Sequence, residues 1–271
     1  MNRLEKEFVK LREEKRGGFI PFIVAGDPNL AATKDLILLL AESGASVIEL
    51  GVPFSDPVAD GVTIQASAER ALRNEIGVKD VLETVAEVRA ENCETPIILF
   101  SYFNPVLQFG LKKLASEMKT AGADGILITD LIPEEAEDFR EILAEKDLAL
   151  IMLAAPTSSD ERLKKICAKA SGFVYAVSRA GVTGARSDLS KDAETLVESL
   201  RKHTDLPVAV GFGISTAAQM KEVWRYADAA VIGSAIVKEI ERSGESDKII
   251  ENVREFLATL LPDEFAAADL H

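Results

Sequence analysis

The sequence predicts one (β/α)8 (TIM) barrel over residues 1–271, with an extra N-terminal helix and long loops after strands 2 and 6. Three observations predict it. Eight short, nearly unbroken apolar runs recur along the chain, as parallel strands buried on both faces require. Helical patterns alternate with them. No linker-like stretch divides the 271 residues, a length typical of one such barrel. A doubly wound open sheet is the competing fold, but it calls for a Gly-rich fingerprint after the first strand, where only Ala25-Gly-Asp-Pro-Asn29 stands.

In chain order, Leu4, Phe8 and Leu11 fall on one side of an opening amphipathic helix. Strands are expected at 19–25, 46–50, 96–101, 125–129, 148–153, 172–177, 207–210 and 229–232. After the first, Leu36, Leu39 and Leu40 make the apolar face of a helix that Gly44 ends. After the fourth, Pro133 suits the first turn of a helix with acidic residues behind it. Ser215 and Ser234 are expected to open helices after strands 7 and 8. Strand starts lie about 22–29 residues apart except after strands 2 and 6, where the gaps are about 50 and 35 against a unit of about 30. Loops after strands lie at the C-terminal face, where such barrels carry chemistry. The two insertions begin at Gly51 and Ser178.

Lys plus Arg is 31 and Asp plus Glu is 45, a net charge of −14, which argues against a nucleic-acid binder. The two cysteines, Cys93 and Cys167, build neither a disulfide framework nor a cysteine zinc site. The longest apolar run, 148–155, is far short of a bilayer span, and the charged first residues lack the apolar stretch of a signal peptide. A cytoplasmic location is expected.

The predicted strands contain no lysine, which argues against a Schiff-base aldolase, and the histidines, His203 and His271, fall outside them. Too few carboxylates converge to predict a metal. Glu49 stands out, since every neighbour in its strand is apolar and alternation turns it away from Ile48 and Leu50. Burial would raise its pKa toward a value useful for proton transfer, and the plainer reading is a core carboxylate satisfied by hydrogen bonds. For Asp60, in a Pro- and Asp-rich loop, the plainer reading is an ordinary loop or cap aspartate, and Asp130 reads first as a structural group at a helix entry. Gly181-Val-Thr-Gly184, Gly211-Phe-Gly213 and Gly233-Ser234 follow the last three strands. Glycines admit close backbone approach and helix N-termini favour anions, so a phosphate site is expected there.

The run from Val47 to Gly61, Val-Ile-Glu-Leu-Gly-Val-Pro-Phe-Ser-Asp-Pro-Val-Ala-Asp-Gly, closely resembles the signature of the tryptophan synthase alpha subunit family. So do the run from Phe22 to Pro28, Tyr102-Phe-Asn-Pro105, Ser178-Arg-Ala-Gly-Val-Thr-Gly184, Gly211-Phe-Gly-Ile-Ser215 and Ile232-Gly-Ser234. The resemblance implies a (β/α)8 lyase that cleaves indole-3-glycerol phosphate to indole and glyceraldehyde 3-phosphate. It implies Glu49 as the acid–base group at indole C3 and the glycerol hydroxyl, and Asp60 as the carboxylate balancing charge on the indole ring through its N–H. Phosphate would lie against Thr183, Gly184, Gly213, Gly233 and Ser234, and indole among Phe22, Phe100, Leu127, Thr129, Leu153, Tyr175 and Phe212. Alternation agrees in part, placing Leu127 and Thr129 on one strand face. No cofactor is implied in this chain; pyridoxal phosphate belongs to a beta subunit that receives the indole in an alpha2-beta2 complex. That partner would dock where loops 51–61 and 178–188 close over the site. The sequence departs from the family at Val62, often proline, and at Phe100, where a smaller aliphatic residue is expected.

Overall fold

The computed structural model describes residues 1–178, 190–211, 213–244 and 248–261. Eight parallel strands close into a barrel in sequence order: β1 Gly18–Val24, β2 Ile48–Gly51, β3 Ile97–Ser101, β4 Gly125–Ile128, β5 Ala149–Ala154, β6 Val174–Val177, β7 Val208–Gly211 and β8 Ala229–Ile232, with β8 returning to β1. Around it run α1 Arg3–Glu13, α2 Leu30–Glu42, α3 Val62–Arg73, α4 Val78–Ala90, α5 Phe103–Phe109, α6 Leu111–Ala121, α7 Glu137–Ala144, α8 Asp160–Lys169, α9 Ser190–Leu200, α10 Ala217–Val223, α11 Ser234–Ser243 and α12 Ile249–Leu260. All eight predicted strands are present, their ends shifted by no more than two residues.

Strand alternation sorts the apolar residues into two cores. Outward-facing Ile23, Ile48, Leu50, Leu99 and Ile126 pack against helix residues such as Leu36, Leu40, Val85 and Met118. Inward-facing Ile20, Phe22, Ile98, Leu127, Ile151, Tyr175 and Val231 fill the barrel. Leu4, Phe8 and Leu11 of α1 join this inner core, and the Phe8 ring lies 5.6 Å from that of Phe173. Helix α1 therefore plugs the N-terminal mouth and leaves the C-terminal end as the open one. A capping box starts it, with Asn2 accepting from the Glu5 N–H and the Glu5 carboxylate from the Asn2 N–H.

Three expectations need correction. Helix α7 begins at Glu137, not near Pro133, because residues 132–135 close a turn through Glu135 N–H to Ile132 C=O. Helix α10 begins at Ala217: Thr216 takes the capping role by accepting from Gln219 N–H, while Ser215 binds the Gln219 side chain. Strand β4 ends one residue before Thr129, whose N–H still reaches Ser101 C=O at 3.0 Å although pairing with β5 stops at Leu127. The long gap after strand 2 holds both α3 and α4. The gap after strand 6 falls largely outside the described residues. Helix α5, which the periodicity did not show, carries Pro105 in its first turn, where a missing N–H leaves no bond unmade.

Candidate active site

Strand β2 places Glu49 between Phe22 of β1 and Ile98 of β3, facing into the barrel. Its side chain is 1 % exposed, and its Oε1 has no hydrogen-bond partner among the described residues. Burial alone holds the carboxyl well above the usual carboxylate range. The reading as a core carboxylate satisfied by hydrogen bonds is therefore not met at Oε1. A buried acid whose carboxyl is shifted toward the protonated form, with one oxygen unpaired among the described residues, is suited to donating a proton to a ligand.

Eleven residues on, Asp60 sits in the loop between β2 and α3. A turn closed by Asp60 N–H to Pro57 C=O shapes that loop, and Gln65 donates to the Asp60 carbonyl at 2.8 Å. The Tyr102 hydroxyl, at the end of β3, donates to Asp60 Oδ2 at 3.0 Å and accepts from Ala59 N–H at 2.9 Å. Burial raises the Asp60 carboxyl to about 6 and the Tyr102 bond pulls the other way. Tyr102 is the site residue that sequence reasoning missed as a member. Its signal was an aromatic hydroxyl immediately after a strand, within the 102–105 run.

An apolar cleft opens beside Asp60, lined by Phe22, Val24, Val52, Phe54, Phe100 and Tyr102 among others. Phe22 and Phe100 meet edge to face with centroids 5.0 Å apart, so the departure at position 100 adds a second aromatic wall. Gly51 leaves room for the Phe22 ring, which a Cβ there would meet at 2.9 Å. Leu127 and Tyr175 lie in the inner core and Leu153 packs at its edge, paired with Tyr175 across β5 and β6. Thr129 is half-buried beyond β4 and faces the Tyr102 hydroxyl. Burial pushes the Tyr175 hydroxyl well up, and both Glu49 and Asp60 push it further, so both carboxylates lie within electrostatic reach of this ring. A Cβ on Gly211 would fall 1.9 Å from the Tyr175 oxygen, so this glycine is what lets the ring stand there.

Of the predicted phosphate residues, Gly233 precedes the first residue of α11 and Ser234 is that first residue, exposed, in a helix start without a side-chain cap. Gly213 has φ +83°, a conformation that disfavours any side chain. Thr183, Gly184 and Phe212 lie outside the described residues. Asp130 accepts from Phe103 N–H at 2.7 Å and so caps α5, a structural role, though for a helix that precedes it. Among the described residues no three His, Cys, Asp or Glu side chains gather as a metal set, and no helix is long and apolar enough to cross a membrane.

The family model for the tryptophan synthase alpha chain matches residues 8–265. The chain is 45 % identical over 249 residues to the tryptophan synthase alpha chain of Chloroflexus aggregans, covering 92 % of this chain and 93 % of that protein. It is 48 % identical over 242 residues to that of Geobacter sulfurreducens, with 89 % and 91 % covered. The fold superposes on a chain of the tryptophan synthase complex from Pyrococcus furiosus with a TM-score of 0.82 and 38 % identity, over 90 % of this chain and 97 % of that one. The chain belongs to the tryptophan synthase alpha chain family.

Proposed function

We propose that the chain cleaves indole-3-glycerol phosphate to indole and glyceraldehyde 3-phosphate at the cleft beside Asp60, with Glu49 and Asp60 as its acid–base and charge-balancing groups. The observation that carries this is the pair of unlike carboxyls. Glu49 is buried, without a partner on Oε1 among the described residues and shifted strongly toward the acid form, while burial raises Asp60 to about 6 with a tyrosine donor on it. Environments that push two acids apart assign them different tasks. Glu49 protonates indole C3, and the positive charge that develops on the ring is balanced by ionised Asp60 at the indole N–H. Glu49, now a carboxylate, takes the proton of the glycerol hydroxyl next to the ring. The carbon–carbon bond breaks with its electron pair returning to the ring, and the hydroxyl carbon becomes the aldehyde. Phe22, Phe100, Leu127, Thr129, Leu153, Tyr175 and Phe212 surround the indole.

The N-terminus of α11, with Gly233 and Ser234, holds the phosphate together with Gly213 and the 183–184 segment. Gly233 serves two tasks, since a Cβ there would press Phe22 at 3.3 Å. Gly233→Val is therefore expected to weaken indole as well as phosphate ligands. Ser234→Ala separates them: it should weaken glycerol 3-phosphate about tenfold, the worth of one hydrogen bond to a charged group, and leave indole unchanged. Titration of both ligands into each variant checks this, and equal losses in Ser234→Ala would remove the serine from the phosphate site.

The reading extends to a beta subunit carrying pyridoxal phosphate, to an alpha2-beta2 assembly and to a cytoplasmic location. Val58, Val62, Leu107 and Ile132 are exposed apolar residues on segments that follow β2, β3 and β4, at the rim around the cleft, a surface suited to a partner. Val62 opens α3 at the first helical position, where proline is also favoured. Assay of the isolated chain on indole-3-glycerol phosphate, with and without a beta subunit, tests the whole. Slow release of indole that the partner accelerates is expected, and no cleavage in either arm would leave a non-catalytic subunit.

A further inference from the structure

The sequence motif around Asp27 is not used by the chemistry above, yet Asp27 is one of the few buried charged groups among the described residues, 2 % exposed. It lies just after β1, at the same end of the barrel as the site. Arg70 of α3 forks onto it, Nε to Oδ1 and Nη2 to Oδ2, each at 2.8 Å, and the buried Ser67 hydroxyl also donates to Oδ2. Asn74 donates to the Pro28 carbonyl at 2.8 Å. Residues 67, 70 and 74 form one stripe along α3, beside an apolar stripe of Ile64, Ala68 and Ala71. Arg70 also reaches Glu241 of α11 through Nη1 at 2.8 Å. One guanidinium thus joins the β1 loop, the helix that follows Asp60 and the helix that begins at Ser234.

We infer that Asp27 and Arg70 are positioning residues for cleavage, their fork fixing α3, and Asp60 with it, relative to α11. This rests on the proposed roles of Asp60 and Ser234. Helix α3 has no side-chain cap at its start, where Gln65 reaches only the Asp60 carbonyl of the preceding loop, whereas the stripe at its far end ties it to the β1 loop. From Arg70 to Val62 is about 12 Å of helix, so a tilt of about 5° about that attachment moves the Asp60 end by about 1 Å. A displacement of that size costs roughly 10²-fold in rate. Lysine keeps the charge of Arg70 but lacks the fork.

The test is Arg70→Lys, Arg70→Gln and Glu241→Gln in the full chain, with kcat, KM and the acid limb of the kcat–pH profile measured below each variant's unfolding transition. Arg70→Lys should lose about tenfold in kcat and Arg70→Gln about 10²-fold, with KM within about threefold. Their acid limb should fall below about 6 as Asp60 becomes wetter. Tyr102 donates to Asp60, and Glu49 and Asp60 both act on Tyr175; Arg70 is not among the groups that shift Asp60, so a moved limb reports geometry. Wild-type kcat and limb in both Arg70 variants would overturn the inference, as would a rate loss that only tracks the unfolded fraction. Should neither Arg70 variant fold, Glu241→Gln, altered at a half-exposed group, decides: a two- to threefold lower kcat with a shifted limb supports the bracket, and wild-type behaviour refutes it. Full activity in Asp60→Asn would instead remove the functional reading, an outcome separate from all of these.

Discussion

Glu49→Gln is expected to lower turnover by roughly 10²–10⁴-fold while the barrel stays folded. The amide matches the carboxyl in volume, so the 1 % exposed site is not emptied, but it neither releases nor takes the proton that both halves of the cleavage need. The stability effect has a definite sign. Burial raises the Glu49 carboxyl in the folded chain, so its contribution is complete at low pH and is lost as pH rises through the raised value. The glutamine variant carries no such loss. Its unfolding temperature should therefore decline less than that of the parent toward alkaline pH. Single-turnover indole release and thermal unfolding between about pH 5 and 9 measure both effects. Cleavage near the wild-type rate would end the assignment of Glu49.

That this residue was legible in sequence follows from strand geometry. A carboxylate at the third position of Val47-Ile-Glu-Leu, with Ile48 and Leu50 needed by the outer core, has no direction left but the barrel interior. The barrel itself was legible for the same reason, because parallel strands buried on both faces leave continuous apolar runs. The helix starts were less so. Whether Ser215 or Thr216 caps α10 depends on which hydroxyl reaches Gln219 N–H, a matter of local angles. Tyr102 was harder still: its contact with Asp60 spans 42 residues and depends on how the β2 loop folds back over β3. The Asp27–Arg70 fork spans 43 residues and two elements, and only the packing of α3 reveals it. Local periodicity fixes which face a side chain takes, whereas pairings between loops are decided by tertiary structure.

The partner of Glu49 yields the second large effect. Asp60→Asn should reduce kcat by about 10²–10³-fold, the scale seen when one preorganised group facing transition-state charge is removed. The loss should come from charge and not from misplacement, because the asparagine oxygen still accepts from the Tyr102 hydroxyl that now lies 3.0 Å from Oδ2. In the parent, cleavage needs Asp60 ionised and Glu49 protonated, so the rate should rise with pH through about 6 and fall at higher pH as Glu49 ionises. Asparagine removes the rising limb only. Tyr102→Phe acts on the same limb in the opposite direction to loosening α3: the hydroxyl favours the carboxylate, so its loss should move the limb above about 6. Because the raised Asp60 carboxyl gives up its stabilising contribution as pH climbs past about 6, Asp60→Asn should match the parent in acid and exceed it in stability above that pH. A variant both more stable and far slower at pH above about 7 would separate catalysis from folding at this position. Retention of most activity, or an acid limb that persists in Asp60→Asn, would return Asp60 to the status of an ordinary loop residue.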